Sequence, residues 1–112
     1  MQERCRPLDT YVAGEHAATT VFVYVYVNAA LGVPYYVGIT NNPVVRAAAH
    51  WYRKGRPKTD MFVALACEDR DSALYAEQQW INAMRPILQN INNPMAKPLA
   101  KPAMTIIRRM VH

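Results

Sequence analysis

The chain has 112 residues, 52% of them hydrophobic and 19% charged, the composition of one folded domain rather than of a disordered segment. Thirteen Lys and Arg against eight Asp and Glu leave a net charge of +5, which favours an anionic partner, nucleic acid first. No apolar run reaches the length of a membrane span, so no membrane association is expected.

Residues 1–20 show no hydrophobic period and read as a lead-in. The start, MQERCRPLDTY, lacks the apolar run of a signal peptide. Cys5 and Cys67 stand far apart, with no Cys or His at metal-ligand spacing. No zinc site is suggested, and both are expected as free thiols in a reducing, intracellular setting, cytoplasmic or nucleoid-associated. VFVYVYVN (21–28) alternates, with Phe22, Tyr24 and Tyr26 on one side and four valines on the other. That is strand periodicity with two apolar faces. After a turn at AALG (29–32), VPYYVGI (33–39) makes the second strand of an antiparallel hairpin.

TNNP (40–43) starts a helix, with Asn42 as cap and Pro43 at the first helical position. This helix is expected over 43–53, where Val44, Ala47, Ala48 and Trp51 share one face and Arg46, His50 and Arg53 another. Trp51 is expected to pack by that face. GRPK (55–58) is a basic loop, and from Arg46 to Lys58 no acid interrupts Arg46, Arg53, Lys54, Arg56 and Lys58. MFVALAC (61–67) is a third strand, and EDRD leads into a helix over 72–85 with Asp71 as its cap. PILQNINN (86–93) is expected to be extended or looped, and PMAKPLAKPAM (94–104) to be a basic, proline-rich arm. The reading is α+β: a three-stranded antiparallel sheet in β-β-α-β-α order with helices packed on it. The domain spans 21–93 and a tail covers 94–112.

The second helix carries the residue that is hardest to place. On a helical wheel Ala73, Leu74, Trp80, Ile81 and Met84 form an apolar arc with Glu77 in its middle. A carboxylate there is costly unless it is paired or holds a cation. With Arg46, His50 and the hairpin tyrosines it makes up the parts of a metal-assisted phosphodiesterase site. Taken singly, Tyr24 and Tyr36 are ordinary sheet aromatics.

In their order and spacing these residues resemble the GIY-YIG endonuclease family. Phe22-Val23-Tyr24 and Tyr36-Val37-Gly38 correspond to the two strand motifs, and Arg46 stands ten residues beyond Tyr36. His50 lies one turn further on, Glu77 matches the metal ligand, and Asn90 after Pro86 resembles the closing segment, with Gln89 as its rival. Phe22 replaces a glycine of the first motif, and Ile39 stands where some members carry lysine. The resemblance implies a GIY-YIG-like nuclease domain that hydrolyses phosphodiester bonds in DNA with Mg²⁺ or Mn²⁺ at Glu77, RNA not being excluded. It implies that Arg46 grips the phosphate and that Asn90 supports the site. Tyr24, Tyr36 and His50 would hold and activate water, with the choice of base open. Gly38, Arg53, Lys54, Arg56 and Lys58 are expected to face the nucleic acid. The other expectation is an inactive nucleic-acid-binding or assembly module of the same fold, with a protein partner or a second copy.

Overall fold

Alternation of valine with aromatic residues over Val21–Asn28 produces a strand whose first seven residues are all buried, so each face of the sheet is covered by something. The computed structural model describes residues 4–91, with side chains through residue 85. In chain order the elements are β1 (Cys5–Pro7), β2 (Val21–Asn28), β3 (Val33–Thr40), α1 (Pro43–Lys54), a 3-10 turn (Lys58–Asp60), β4 (Met61–Cys67) and α2 (Arg70–Ile91). The strands form one antiparallel sheet in the order β1-β4-β2-β3. The α+β class and the hairpin are as expected. The three-stranded count is not, because the lead-in contributes β1 at the edge.

β1 pairs Cys5 with Cys67 and Pro7 with Leu65 across β4. Backbone bonds flank that pairing, from Glu68 N to Arg4 O at 2.8 Å and from Leu8 N to Ala64 O at 2.9 Å. The cross-strand register brings the two cysteines together with Cα atoms 3.9 Å apart, and they form a disulfide. The expectation of free thiols is therefore corrected. Sequence spacing could not show the pairing, because it is created by strand register between residues 62 apart.

The β2–β3 turn is organised by Asn28, whose Oδ1 accepts from the N–H groups of Ala30 and Leu31. Gly32 takes the left-handed φ of 65° that closes it. One bulge follows. Tyr26 pairs with Tyr36, but Val27 pairs with Pro34, leaving Tyr35 as the extra residue. Alternation is broken there, so Tyr35 and Tyr36 both lie beside Tyr26, with ring centroids 5.9 and 6.4 Å away.

The valine face of β2 meets α2. Val21, Val23, Val25 and Val27 share a core with Val37, Leu65, Ala73, Ala76 and Met84, with Trp80 and Ile81 at its margin. Burial centres on Ala73, Ala76 and Met84, none of which is exposed, whereas Leu74 is 38% exposed. The arc is thus rotated toward Ala76, a small residue that lets the helix approach the strands. Leu74 leaves it, and Glu77 moves from its centre to its flank, where it is half-buried. Asp69 rather than Asp71 caps α2, accepting from Ser72 N at 2.8 Å. The helix also runs past the expected end at 85. Pro86 lies inside it and forgoes one backbone donor, at a cost of about 3 kcal/mol that is unfavourable but not prohibitive. Residues 92–112, including the proline-rich arm and the end of the expected domain at 93, lie outside the described residues.

Candidate functional site

α1 begins as its sequence dictates, with Asn42 Oδ1 accepting from Val45 N and Pro43 in the first turn. Its orientation is a correction. Pro43 and His50 are its buried residues, while Trp51 is 53% and Tyr52 91% exposed. The Val44–Trp51 face therefore points to solvent, and the helix docks through its imidazole. The tyrosine side of the sheet offers a polar, aromatic bed, and a histidine satisfies it where valine and tryptophan cannot.

His50 lies among three tyrosine rings. Centroid distances are 5.7 Å to Tyr24, 4.7 Å to Tyr26 and 5.1 Å to Tyr36. Its Nε2 is 2.9 Å from Tyr24 Oη, and its Nδ1 is 2.8 Å from Arg56 Nη1. Arg56 reaches it because Gly55, with φ of 66°, caps α1 in the left-handed region and turns the chain back. The Arg56 guanidinium also sits 4.5 Å above the Tyr36 ring. Tyr35 closes the cluster by donating to Asp60 Oδ2 at 2.7 Å.

Gly38 has a specific reason to be glycine. It pairs directly with Tyr24, and a Cβ there would lie 2.6 Å from Tyr24 Cζ. The absent side chain is the space into which the phenol folds. Gly38 thereby lies within the tyrosine cluster.

Burial pushes the Tyr24 phenol well above its ordinary range, reinforced by Tyr36 and opposed by the Arg46 charge. Burial also pulls His50 below its ordinary value, with the positive charges of Arg56, Arg46 and Lys54 acting the same way. Arg46 itself is exposed, and its positive charge acts on the buried His50 and Tyr24. Tyr26 Oη has no hydrogen-bond partner among the described residues, and burial is the main cause that raises its pKa.

The structure thus brings Tyr24, Tyr36, Arg46, His50 and Gly38 together. Glu77 stands apart. It belongs to α2 on the valine face, and its one charged influence is Arg70, which opposes the upward push of burial on its pKa. No described contact joins it to the tyrosine cluster. The ion pairs among the described residues are those of Arg4 with Glu68 and Asp69, and no group of three or more His, Cys, Asp or Glu that could hold a metal occurs among them. Asn90 falls in the last turns of α2, where side chains lie outside the described residues. Arg53, Lys54 and Lys58 are exposed, as an anion-facing set requires, but Arg56 is half-buried and engaged within the cluster. Sequence reasoning counted Arg56 with the solvated cations and placed Asp60 nowhere. The Gly55 break directly after a helix was the available signal that the next side chain could fold back. No helix among the described residues is long and apolar enough to cross a membrane.

Comparison with family models, with curated proteins and with solved structures finds no match to this chain.

Proposed function

We propose that the protein is a divalent-metal-dependent endonuclease of GIY-YIG type that hydrolyses phosphodiester bonds in DNA. The observation that carries this reading is the convergence of Tyr24 and Tyr36, from the two motif strands, on His50, with the Arg46 charge beside them. Arg46 offers a planar donor fork to a non-bridging phosphate oxygen. Tyr24 and Tyr36 orient water at the same phosphate by hydrogen bonds. Arg53, Lys54 and Lys58 neutralise flanking phosphates, giving binding that weakens with salt and carries no sequence information.

Glu77 fits a hard cation in one respect. It is a half-buried carboxylate with no ion-pair partner among the described residues, and burial raises its pKa, a cost that a bound cation relieves. The remaining ligands would come from water and phosphate oxygens. Mg²⁺ or Mn²⁺ at Glu77 would supply charge stabilisation at the phosphate and the leaving oxygen. α2 packs against β3, the edge strand that also carries Tyr36, and a phosphate bound at that edge would have to join Glu77 to the cluster. An intracellular, DNA-associated setting belongs to the same proposal. The structure has Cys5 and Cys67 bonded, and alkylation of the protein in cells would read whether that bond is kept there.

The test is nicking of supercoiled plasmid with Mg²⁺, with Mn²⁺ and with chelator. Glu77→Ala and Arg46→Ala should each reduce it by at least roughly a hundredfold without unfolding the chain. A variant that cuts at the wild-type rate removes its residue from the site.

A second reading, a nucleic-acid-binding or assembly module without catalysis, is favoured by the separation of Glu77 from the cluster. Salt-sensitive DNA binding with no metal-dependent cutting would establish it. Mn²⁺ titration adds a direct check. Paramagnetic broadening of both Glu77 and Tyr24 signals in the DNA complex supports the nuclease, and broadening at neither supports the module.

A further inference from the structure

Arg56, expected from the sequence to face the nucleic acid, instead makes one of the shortest polar contacts of the cluster. Its Nη1 lies 2.8 Å from His50 Nδ1. A guanidinium offers donors only. The imidazole nitrogen facing it must therefore accept, and an accepting ring nitrogen carries no proton. A neutral imidazole then keeps its single proton on Nε2. That nitrogen is 2.9 Å from Tyr24 Oη, so the ring donates and the tyrosine oxygen accepts.

We propose that Arg56 is a positioning residue that fixes His50 as the Nε2–H tautomer, making His50 a hydrogen-bond donor to Tyr24 rather than a base. In this arrangement both nitrogens of His50 are committed. Nδ1 receives from Arg56 and Nε2 already holds a proton, so the ring cannot take one from water or from Tyr24. The general base is left to Tyr24 or Tyr36. This last consequence rests on the nuclease reading, but the tautomer does not.

The surroundings support a neutral ring. The groups that face it are Arg46 and Lys54 from α1, Arg56 from the following loop, Tyr24 and Tyr26 from β2 and Tyr36 from β3, with Asp60 acting beyond Tyr26. Every charge that acts on His50 is positive, and burial disfavours the imidazolium further. Arg56 is itself held in place. Its guanidinium covers the Tyr36 ring at 4.5 Å and lies 6.0 Å from that of Tyr35, whose hydroxyl is tied to Asp60. A ring packed only for its shape would fit in either tautomer, so the choice of tautomer is what separates positioning from packing.

The experiment is a nitrogen–proton correlation spectrum of the histidine side chains in the full chain, recorded from about pH 5 to pH 8, where an ordinary histidine titrates. Signals of the three histidines are assigned with His50→Gln. Wild type should show His50 with Nδ1 bare and Nε2 protonated at neutral pH. Arg56→Met should give a tautomer mixture and move the titration of His50 upward, because a donor and a like charge are both lost. Arg56→Lys keeps a charged donor and should restore the wild-type pattern. The proposal is overturned by a wild-type His50 protonated on Nδ1, or by a folded Arg56→Met with an unchanged spectrum. Should Arg56→Met fail to fold, the wild-type and Arg56→Lys spectra decide alone.

Cleavage is then compared on the same plasmid. Arg56→Met should lower kcat by roughly tenfold or more and shift the pH profile, and Arg56→Lys should recover most of it. Altered tautomers with unchanged cleavage would overturn the catalytic use of the contact. Silence of the wild type with every metal would overturn the nuclease reading and leave the tautomer assignment standing on its spectra.

Discussion

The two faces of the sheet are made in different ways from one strand. Valines of β2 meet Ala73, Ala76 and Met84 of α2 in an apolar layer that includes the Cys5–Cys67 disulfide and has Glu77 at its flank. Tyrosines of the same strand meet His50 of α1 in a layer joined by hydrogen bonds and ring contacts, with cations at its rim. The first is stabilised by transfer of apolar surface from water, which is non-directional and tolerant of small shifts. The second depends on donor and acceptor geometry and contains a hydroxyl, Tyr26 Oη, that has no partner among the described residues.

The comparison can be broken from either face. The largest expected effect is on the aliphatic side. Reducing the Cys5–Cys67 bond, or replacing both residues by serine, frees a closure between residues 62 apart and should cost about 2–4 kcal/mol. Denaturant titration with and without reductant measures it, and an unchanged midpoint would show that β1 adds nothing to the fold. On the tyrosine side, Gly38→Ala forces a Cβ against the Tyr24 ring and should cost about 1–3 kcal/mol, with loss of the Tyr24–His50 bond. The two losses should differ in kind. The disulfide variant keeps the His50 spectrum, and the Gly38 variant does not.

Acidification sharpens the contrast further. The folded pKa of His50 lies below the ordinary value of 6.5, so below that value the unfolded chain binds the proton more readily. Stability contributed by the neutral ring is complete above pH 6.5 and is lost as pH falls toward the folded pKa, at about 1.4 kcal/mol per unit while only the unfolded chain titrates. Wild type should lose stability in that window, and His50→Gln should lose less. Equal slopes would mean that the ring is not buried as a neutral group. The smallest effect has the opposite sign. Tyr26→Phe removes the unpaired hydroxyl and should stabilise by up to about 1 kcal/mol. A fall in Tm instead would reveal a partner for Tyr26 Oη.

Much of the scaffold was legible because it follows local rules. Alternation gave β2, the apolar run gave β4, and Asn42-Pro43 gave the start of α1. What escaped was created by tertiary structure. β1 has no period of its own and exists through the register of Cys5 with Cys67. The end of α2 was misplaced because Pro86 is an unfavourable helical residue but not a forbidden one. α1 was rotated wrongly because its most apolar face is not the one that docks. Of the site, Tyr24, Tyr36, Arg46 and His50 were singled out through the family resemblance, and Tyr24, Tyr36 and His50 do converge, with the Arg46 charge acting on Tyr24 and His50. Arg56 was not, since a loop arginine among other cations carries no sign of whether it turns inward. Glu77 was seen as anomalous for a sound reason, but the wheel centred it because Ala76 was left out of the buried arc.

The mooring of α1 has a dynamic consequence. Its buried residues are Pro43 and His50, and His50 is its anchor on the tyrosine side of the sheet. A helix fastened by so few anchors opens at lower free energy than the sheet and α2 beneath the valines. Its amides should therefore exchange with solvent deuterium ahead of those of β2, in one cooperative step. Arg46 and His50 would lift away with it, so the candidate site can come apart and reassemble as a unit while the rest of the protein stays folded.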